Sequence, residues 1–282
     1  MPKREDARKA KTKKEILAKN DRIAVISPTY KASGKLEGKV AIITGGDSGI
    51  GRSVAVHYAI EGASVAIVYH KSDEDAQETK RLVENENQRC LVFRGDIALE
   101  AFCRRVVRNT YKTFGKLSIL VNNAGMHEPD EDFMKISSAQ FRRTFQVNMF
   151  SFYYFTHEAL PLLDKDGCII NTASVVAYRG SEHLVDYAST KGAIVSFTRS
   201  LSKNLAKKGI RVNGVAPGPI WTPLVIESFD KKHLDEFGKQ TPMGRAGYPF
   251  EVAPAFVFLA SNDASYITGQ LIHVNGGEVV GG

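Results

Sequence analysis

The sequence predicts an α/β fold: one doubly wound parallel sheet of about seven strands with helices on both faces. Three observations predict it. Short apolar runs rich in β-branched residues alternate along the chain with longer helical patterns. The first run, Val40–Ile43, leads directly into a glycine-rich turn and then a helical segment. Finally, no internal repeat is present, and no apolar stretch approaches the roughly 20 residues of a membrane span.

Each element follows from its local pattern. Val40-Ala41-Ile42-Ile43 reads as a strand buried on both faces. The turn Thr44-Gly45-Gly46-Asp47-Ser48-Gly49-Ile50-Gly51 precedes a helix over Arg52–Glu61. A strand, a glycine turn and a helix N-terminus form an anion site, because bare backbone and free N–H groups can approach a pyrophosphate. The spacing is G-x-x-x-G-x-G rather than the more familiar G-x-G-x-x-G. Strand Ser64–Tyr69 follows and ends without the acid that would bind an adenosine ribose. Tyr69, His70 and Lys71 stand there instead, which favours NADP and leaves NAD possible; Arg52 is a further cation within expected reach of the extra phosphate.

The alternation continues with helix Glu74–Glu86, strand Cys90–Arg94, helix Leu99–Phe114 and strand Leu117–Val121. Asp96 follows the third strand, where it is expected to meet an adenine. Asn122-Asn123-Ala124-Gly125 closes the fourth with small, turn-forming residues. One long amphipathic segment, Ser138–Leu163, contains Asn148. Strand Cys168–Asn171, a helix from Tyr187 to Leu205 and strand Ile210–Val215 come next. Proline then ends the pattern at Ala216–Pro223. Residues from 224 to about 245 read as a lid over a substrate pocket, whose other walls are expected from His127–Phe133 and Val175–Val185. Helix Phe250–Ala260 and strand Gln270–Val274 finish the chain.

The chemistry is expected around Ser174, Tyr187 and Lys191. A helix beginning near Tyr187 puts Lys191 on the same face, with Cβ atoms about 5–6 Å apart. A phenol with a pKa of about 10 needs a neighbouring ammonium to work near neutrality. Ser174, at a strand end, is placed to hold a carbonyl oxygen while Tyr187 supplies its proton.

Composition bounds the rest. The 282 residues carry a net charge of +7, but eleven Lys or Arg and five Asp or Glu fall in residues 1–38. The other 244 residues hold 27 and 26 and are nearly neutral. The basicity therefore belongs to an N-terminal arm, residues 1–38, with a short helix expected near Ala7–Leu17. Residues 39–282 form the dinucleotide-binding catalytic domain. No aromatic residue interleaves the basic run through Arg22, so a solvated or partner-wrapping arm is expected rather than a nucleic-acid or membrane contact. Cys90, Cys103 and Cys168 are scattered, odd in number and without metal-ligand spacing. They point to a reducing compartment, taken as the cytoplasm, and to no metal.

With T-G-x-x-x-G-x-G, N-N-A-G and Y-x-x-x-K in order, the chain from about Gly38 to Gly277 resembles the short-chain dehydrogenase/reductase family, with its Rossmann sheet. The resemblance implies hydride transfer between a nicotinamide and an alcohol or carbonyl carbon, with Asn148, Ser174, Tyr187 and Lys191 as the catalytic set. In that set Lys191 lowers the Tyr187 pKa and Asn148 holds a water in a proton relay. It implies Gly45, Gly49 and Gly51 at the pyrophosphate, Asp96 at the adenine and Asn123 at its ribose. Lys191 would meet the nicotinamide ribose, and Ile220 and Thr222 the carboxamide. Ser48, Ile50, Tyr69, His70, Lys71, Ile97, Ala124, Gly125, Tyr187, Pro217 and Gly218 complete the expected cofactor contacts. A homotetramer acting on a small molecule is implied as well.

Ser27-Pro28-Thr29-Tyr30-Lys31, Pro217–Pro223, Ser228-Phe229-Asp230 and Gly244-Arg245-Ala246-Gly247 resemble a narrower group, the glucose and ribitol dehydrogenase homologues of bacteria and plants. A sugar or polyol is the expected substrate class. A 3-oxoacyl reductase is the alternative within enzymes, and a non-catalytic dinucleotide-binding sensor or assembly subunit the alternative outside them. Two features depart from the pattern. The far N-terminus is more lysine-rich, and His70 replaces the arginine of many NADP-using relatives.

Overall fold

The computed structural model describes residues 25–280. The expected helix near Ala7–Leu17 and most of the basic arm lie outside the described residues. Seven parallel strands form one sheet in the order β3-β2-β1-β4-β5-β6-β7. They are β1 Val40–Thr44, β2 Ser64–Tyr69, β3 Cys90–Arg94, β4 Leu117–Asn122, β5 Leu163–Thr172, β6 Arg211–Pro217 and β7 Leu271–Val274.

Alternate residues of each strand feed opposite layers, as the period of two requires. Ala41, Ile43, Val65 and Ile67 pack with α1 (Gly49–Ile60), α2 (Asp73–Asn85) and α10 (Pro249–Ala260). Ile42, Ala66 and Val68 pack with α3 (Glu100–Phe114), α5 (Ser151–Ala159) and α7 (Val185–Leu205). Each such Ile or Val, fully buried, stabilises the fold by about 1.5–3 kcal/mol. Double-sided burial explains why β1, β2 and β4 read as unbroken apolar runs.

The chain reverses direction across the sheet between β1 and β4, and the crevice at their carboxyl ends is where an open α/β sheet takes its ligand. Residues 25–38 lie against the outer face of α1. Leu36 is fully buried, Ser53 Oγ donates to the Val25 carbonyl at 2.7 Å, and Tyr30 Oη donates to Glu61 Oε1 at 2.6 Å.

Two expectations about elements change. The segment expected as one helix over 138–163 is α4 (Ser138–Phe145), a π turn (Gln146–Phe150) and α5. Ser151 N–H reaches back five residues to the Gln146 carbonyl, so one extra residue is wound into the turn. Strand β6 continues through Ala216 and Pro217, where a break was expected. Proline is tolerated because it is the last strand residue: its carbonyl accepts from Val175 N–H at 3.0 Å, and Gly218 N–H carries on to the Val274 carbonyl at 3.0 Å. A one-turn helix, α6 (Val176–Arg179), follows β5, and the lid segment contains two short helices, α8 (Pro223–Ser228) and α9 (Lys231–Glu236).

Candidate active site

The glycine turn between β1 and α1 is locked against the turn after β4. Thr44 Oγ1 accepts from Asn123 N–H at 2.9 Å and Ala124 N–H at 3.0 Å. Asn123 Nδ2 donates to the Thr44 carbonyl at 3.0 Å and the Gly45 carbonyl at 3.4 Å, while its Oδ1 accepts from Thr172 Oγ1 at 3.2 Å. The glycines are needed where these turns touch. Gly45 has φ +64°, and a Cβ there would lie 3.0 Å from Ala124 Cα. A Cβ on Gly51 would fall 1.9 Å from the Gly45 carbonyl oxygen. Gly49, at φ +52°, faces Thr222, whose Cγ2 would be 3.1 Å from an added Cβ.

The start of α1 suits an anion. Ser48 is its N-cap but makes no side-chain cap bond, and the first turn holds no acid. Its leading N–H groups are thus left to a ligand, and the helix dipole favours negative charge there. Ile50, half-buried, packs on the core from the first turn of the same helix.

At the end of β2, Tyr69 is buried while His70 and Lys71 are exposed. The strand end itself has no acid, as expected, yet one arrives from the next helix. Asp73 accepts from the Tyr69 hydroxyl and pairs with Arg94 Nη1 at 2.8 Å, and the hydrogen bond to Asp73 raises the Tyr69 pKa. Arg94, the last residue of β3, adds a cation that strand-end reasoning passed over. Arg52 is anchored instead of reaching outward. Its Nε donates to the Asp47 carbonyl at 2.9 Å and its Nη2 to Asp75 Oδ1 at 2.7 Å. Asp96 is held by both terminal nitrogens of Arg143, at 2.9 and 3.1 Å, and by Ala98 N–H at 3.0 Å. Burial pushes the Asp96 pKa up, but these bonds outweigh it and hold the carboxyl below its usual range. Neighbouring Ile97 is buried, its carbonyl accepting from Cys103 Sγ.

Ser174 follows β5 and lies beside the Tyr187 phenol, close enough to draw its pKa down, in the first turn of α7. Asp186, buried beside it, aligns that turn. It accepts from Tyr187 N–H at 2.7 Å and from Thr144 Oγ1 of α4 at 2.6 Å. One turn on, Lys191 is 2% exposed, with Nζ donating to the Thr172 carbonyl at 2.7 Å and lying 5.3 Å from the Tyr187 ring centre.

The electrostatics run opposite to the expectation from spacing. Burial pushes the phenol up to about 12, with the Ser174 hydrogen bond pulling against it. Burial also drives the Lys191 ammonium down to about 7. Desolvation of both groups outweighs the attraction that a lysine one turn away was expected to exert.

Asn148 sits in the π turn with its amide occupied. Its Oδ1 accepts from Met126 N–H at 2.8 Å, and its Nδ2 donates to the Met126 carbonyl at 2.9 Å and to Thr190 Oγ1 at 3.2 Å. The side chain thus clamps the loop after β4 onto α7. Gly125 faces the gap between this amide and the lysine: a Cβ there would lie 3.5 Å from Asn148 Oδ1 and 3.8 Å from Lys191 Nζ. Ile220 is buried and anchored through the backbone bridge to Gly247. Thr222 Oγ1 caps α8 by accepting from Val225 N–H. Pro217 and Gly218, at the end of β6, complete the rim of the crevice.

Thr44, Asp73, Arg94, Arg143 and Asp186 contribute without having been given a role, and His127 was expected only as the start of a pocket wall. Most are signalled only by their partners across the fold. His127 alone had a local cue, its place just past N-N-A-G. Among the described residues, no cluster of His, Cys, Asp or Glu could hold a metal ion, and no helix is long and apolar enough to cross a membrane.

A doubly wound sheet with an anion-ready turn at its switch point, and a Ser–Tyr–Lys set beside it, defines a nicotinamide-dependent oxidoreductase. Comparison with known proteins agrees. A family model described as enoyl-(acyl carrier protein) reductase matches residues 45–278. The glucose and ribitol dehydrogenase of Daucus carota is 47% identical over 91% of this chain and 90% of its own. NADPH-dependent aldehyde reductase 1, chloroplastic, of Arabidopsis thaliana is 48% identical over 90% of this chain and 91% of its own. A short-chain dehydrogenase of Burkholderia cenocepacia J2315, solved in complex with NADP, superposes with a TM-score of 0.82 at 31% identity, covering 86% of this chain and 98% of that one. The chain belongs to the short-chain dehydrogenase/reductase family and is an NAD(P)-dependent oxidoreductase acting on CH–OH and C=O groups.

Proposed function

We propose that the protein interconverts small sugar-like or polyol alcohols and their carbonyl forms, with NADP preferred over NAD. The observation that carries the site assignment is the placing of Ser174 beside the Tyr187 phenol, with buried Lys191 one turn behind and bonded to the Thr172 carbonyl. A bound nicotinamide supplies or accepts the hydride. The chain's own residues handle orientation and the proton. In reduction, the Tyr187 phenol gives its proton to the carbonyl oxygen, which the Ser174 hydroxyl holds in place. Lys191 holds the nicotinamide ribose, and Asn148 fixes the loop that carries Gly125. Gly45, Ser48, Gly49, Ile50 and Gly51 take the pyrophosphate. Asp96, Ile97, Asn123, Ala124 and Gly125 line the adenosine side, and Pro217, Gly218, Ile220 and Thr222 the nicotinamide side.

Residues 39–282 act as one catalytic domain, and residues 1–38 as an arm whose described part straps α1. A homotetramer in the cytoplasm is the proposed setting. In support, β7 is an edge strand with every residue only half-buried, and Phe150 and Tyr153 are 47% and 50% exposed beside α5.

Cofactor preference rests on His70, Lys71 and Arg94 around the end of β2. Two exposed cations, Lys71 and Arg94, contributing about 0.5–1 kcal/mol each give NADP roughly a five- to thirtyfold advantage, weakening with salt. The test is a screen of aldehydes, ketones, sugars and polyols with each cofactor, followed by nicotinamide absorbance, together with dissociation constants for both cofactors. Tighter binding of NAD overturns the cofactor assignment. Turnover confined to 3-oxoacyl thioesters overturns the substrate class.

A further inference from the structure

His127, two residues past Gly125, leans over the catalytic tyrosine. Its ring centre lies 5.4 Å from that of Tyr187 at an interplanar angle of 55°. Phe229 of the lid meets it edge-on, with centres 5.6 Å apart at 90°. The imidazole hydrogen-bonds the Leu224 backbone at the start of α8, while its Nε2 is enclosed and has no partner.

These facts fix what the ring offers. The Leu224 backbone raises the ring's basicity, as a carbonyl accepting from a ring N–H does, and since Nε2 has no partner the proton is assigned to Nδ1. Burial lowers the imidazole pKa below its usual 6.5, so the ring is neutral near pH 7. In a neutral imidazole protonated at Nδ1, Nε2 is a bare lone pair. An enclosed acceptor without a donor is costly, a penalty that a ligand's donor would relieve. The ring that carries it lies beside that of Tyr187, whose phenol meets the reacting oxygen, and against Phe229 of the lid segment.

We propose that His127 selects substrates bearing a hydroxyl one or two carbons from the reacting carbon, by accepting that hydroxyl's hydrogen at Nε2. The proposal rests on Tyr187 being the proton donor. It narrows the substrate class to hydroxyaldehydes and polyols, against simple aldehydes and acyl chains, which present no donor at that place. An apolar substrate would leave the acceptor buried and unpaired, which is how a site built for a hydroxyl rejects its deoxy analogue.

The test compares kcat/KM for glyceraldehyde and propionaldehyde with NADPH, in the unmutated protein, His127→Phe and His127→Gln. Aldehyde hydration cancels between variants. The ratio should favour glyceraldehyde by at least about tenfold in the unmutated protein. It should fall at least about fivefold in His127→Phe, mainly through KM, and recover in part in His127→Gln, which restores an acceptor. A ratio near one in the unmutated protein, or one unmoved by His127→Phe, overturns the proposal. Tyr187→Phe separates the two layers. If it kills both reactions while His127→Phe changes nothing, only the His127 assignment fails; if it leaves turnover intact, the site assignment itself fails. Calorimetric binding of ribitol in the presence of NADPH, which cannot take a hydride from an alcohol, gives a readout independent of turnover. Affinity should weaken at least about fivefold in His127→Phe, and equal affinities, or no binding to the unmutated protein, overturn the proposal.

Discussion

Around the turns after β1 and β4, the polar groups are bonded within the protein. Thr44 and Asn123 lock one turn to the other, Arg52 is anchored at Asp47 and Asp75, and Asp96 is clasped by Arg143. Around Tyr187 the groups are left in expensive states instead. The phenol is pushed up to about 12, the lysine down to about 7, and the His127 acceptor has no donor. The first region is a finished frame that offers backbone and helix terminus. The second holds its reactive groups desolvated, which is where pKa values move far from their ordinary range. A frame of this kind should be sensitive to added volume and a desolvated set to removed function, and the two can be told apart.

The largest effect is expected on the reactive side. Tyr187→Phe keeps the ring and its packing but removes the proton donor, so turnover should fall at least about a hundredfold with cofactor affinity nearly unchanged. Steady-state kinetics beside a cofactor titration check this, and retained turnover would place the proton elsewhere. On the frame side, Gly51→Ala drives a Cβ into the Gly45 carbonyl. It should cost about 1–3 kcal/mol of stability and weaken cofactor binding at least about tenfold. Gly192 in α7 has nothing within 4 Å of its would-be Cβ. Gly192→Ala should therefore gain about 0.5–1 kcal/mol from helix propensity. Denaturant unfolding of the pair sharpens the contrast, and equal losses would mean that crowding is not what Gly51 avoids.

The last effect is a pH slope, gradual across about two units of pH. The Lys191 pKa is lowered from 10.5 to about 7 on folding. Below about pH 7 both states carry the proton and the burial penalty is present in full. Between about 7 and 10.5 the unfolded chain retains a proton that the folded one has released, so stability rises with pH. The contribution is at most about 1.4 kcal/mol per pH unit. Urea unfolding at about pH 7 and about pH 9 should show a steeper rise for the unmutated protein than for Lys191→Met. Equal slopes would mean that the buried ammonium keeps its charge.

The sheet was legible in the sequence because double-sided burial leaves a local trace: Val40–Ile43 and Ser64–Tyr69 are apolar on both faces and bounded by turns. The Gly45–Gly51 turn and the Tyr187–Lys191 spacing were legible for the same reason, each lying within one element and its flank. What escaped depends on how the chain folds back on itself, over long or short separations. Asp96 reads as an open adenine contact until Arg143 appears beside it. The end of β2 reads as free of acid until Asp73 folds back onto Tyr69. The direction of the Tyr187 shift was missed because spacing reports that a charge is near and says nothing about how much water has left.

The π turn at Gln146–Phe150 has a consequence for how the family can vary in length. With one residue wound in beyond the α-helical count, α4 and α5 are out of phase by about 100°. Deleting a single residue anywhere between α4 and α5 could be absorbed by relaxing that turn into ordinary helix. The chain would stay continuous and the helix would survive, but Asn148 would rotate away from Met126 and Thr190. Surface loops such as the lid can gain or lose residues without touching that clamp. Residues 138–159 are instead a ruler, whose length is set by the aim of one amide.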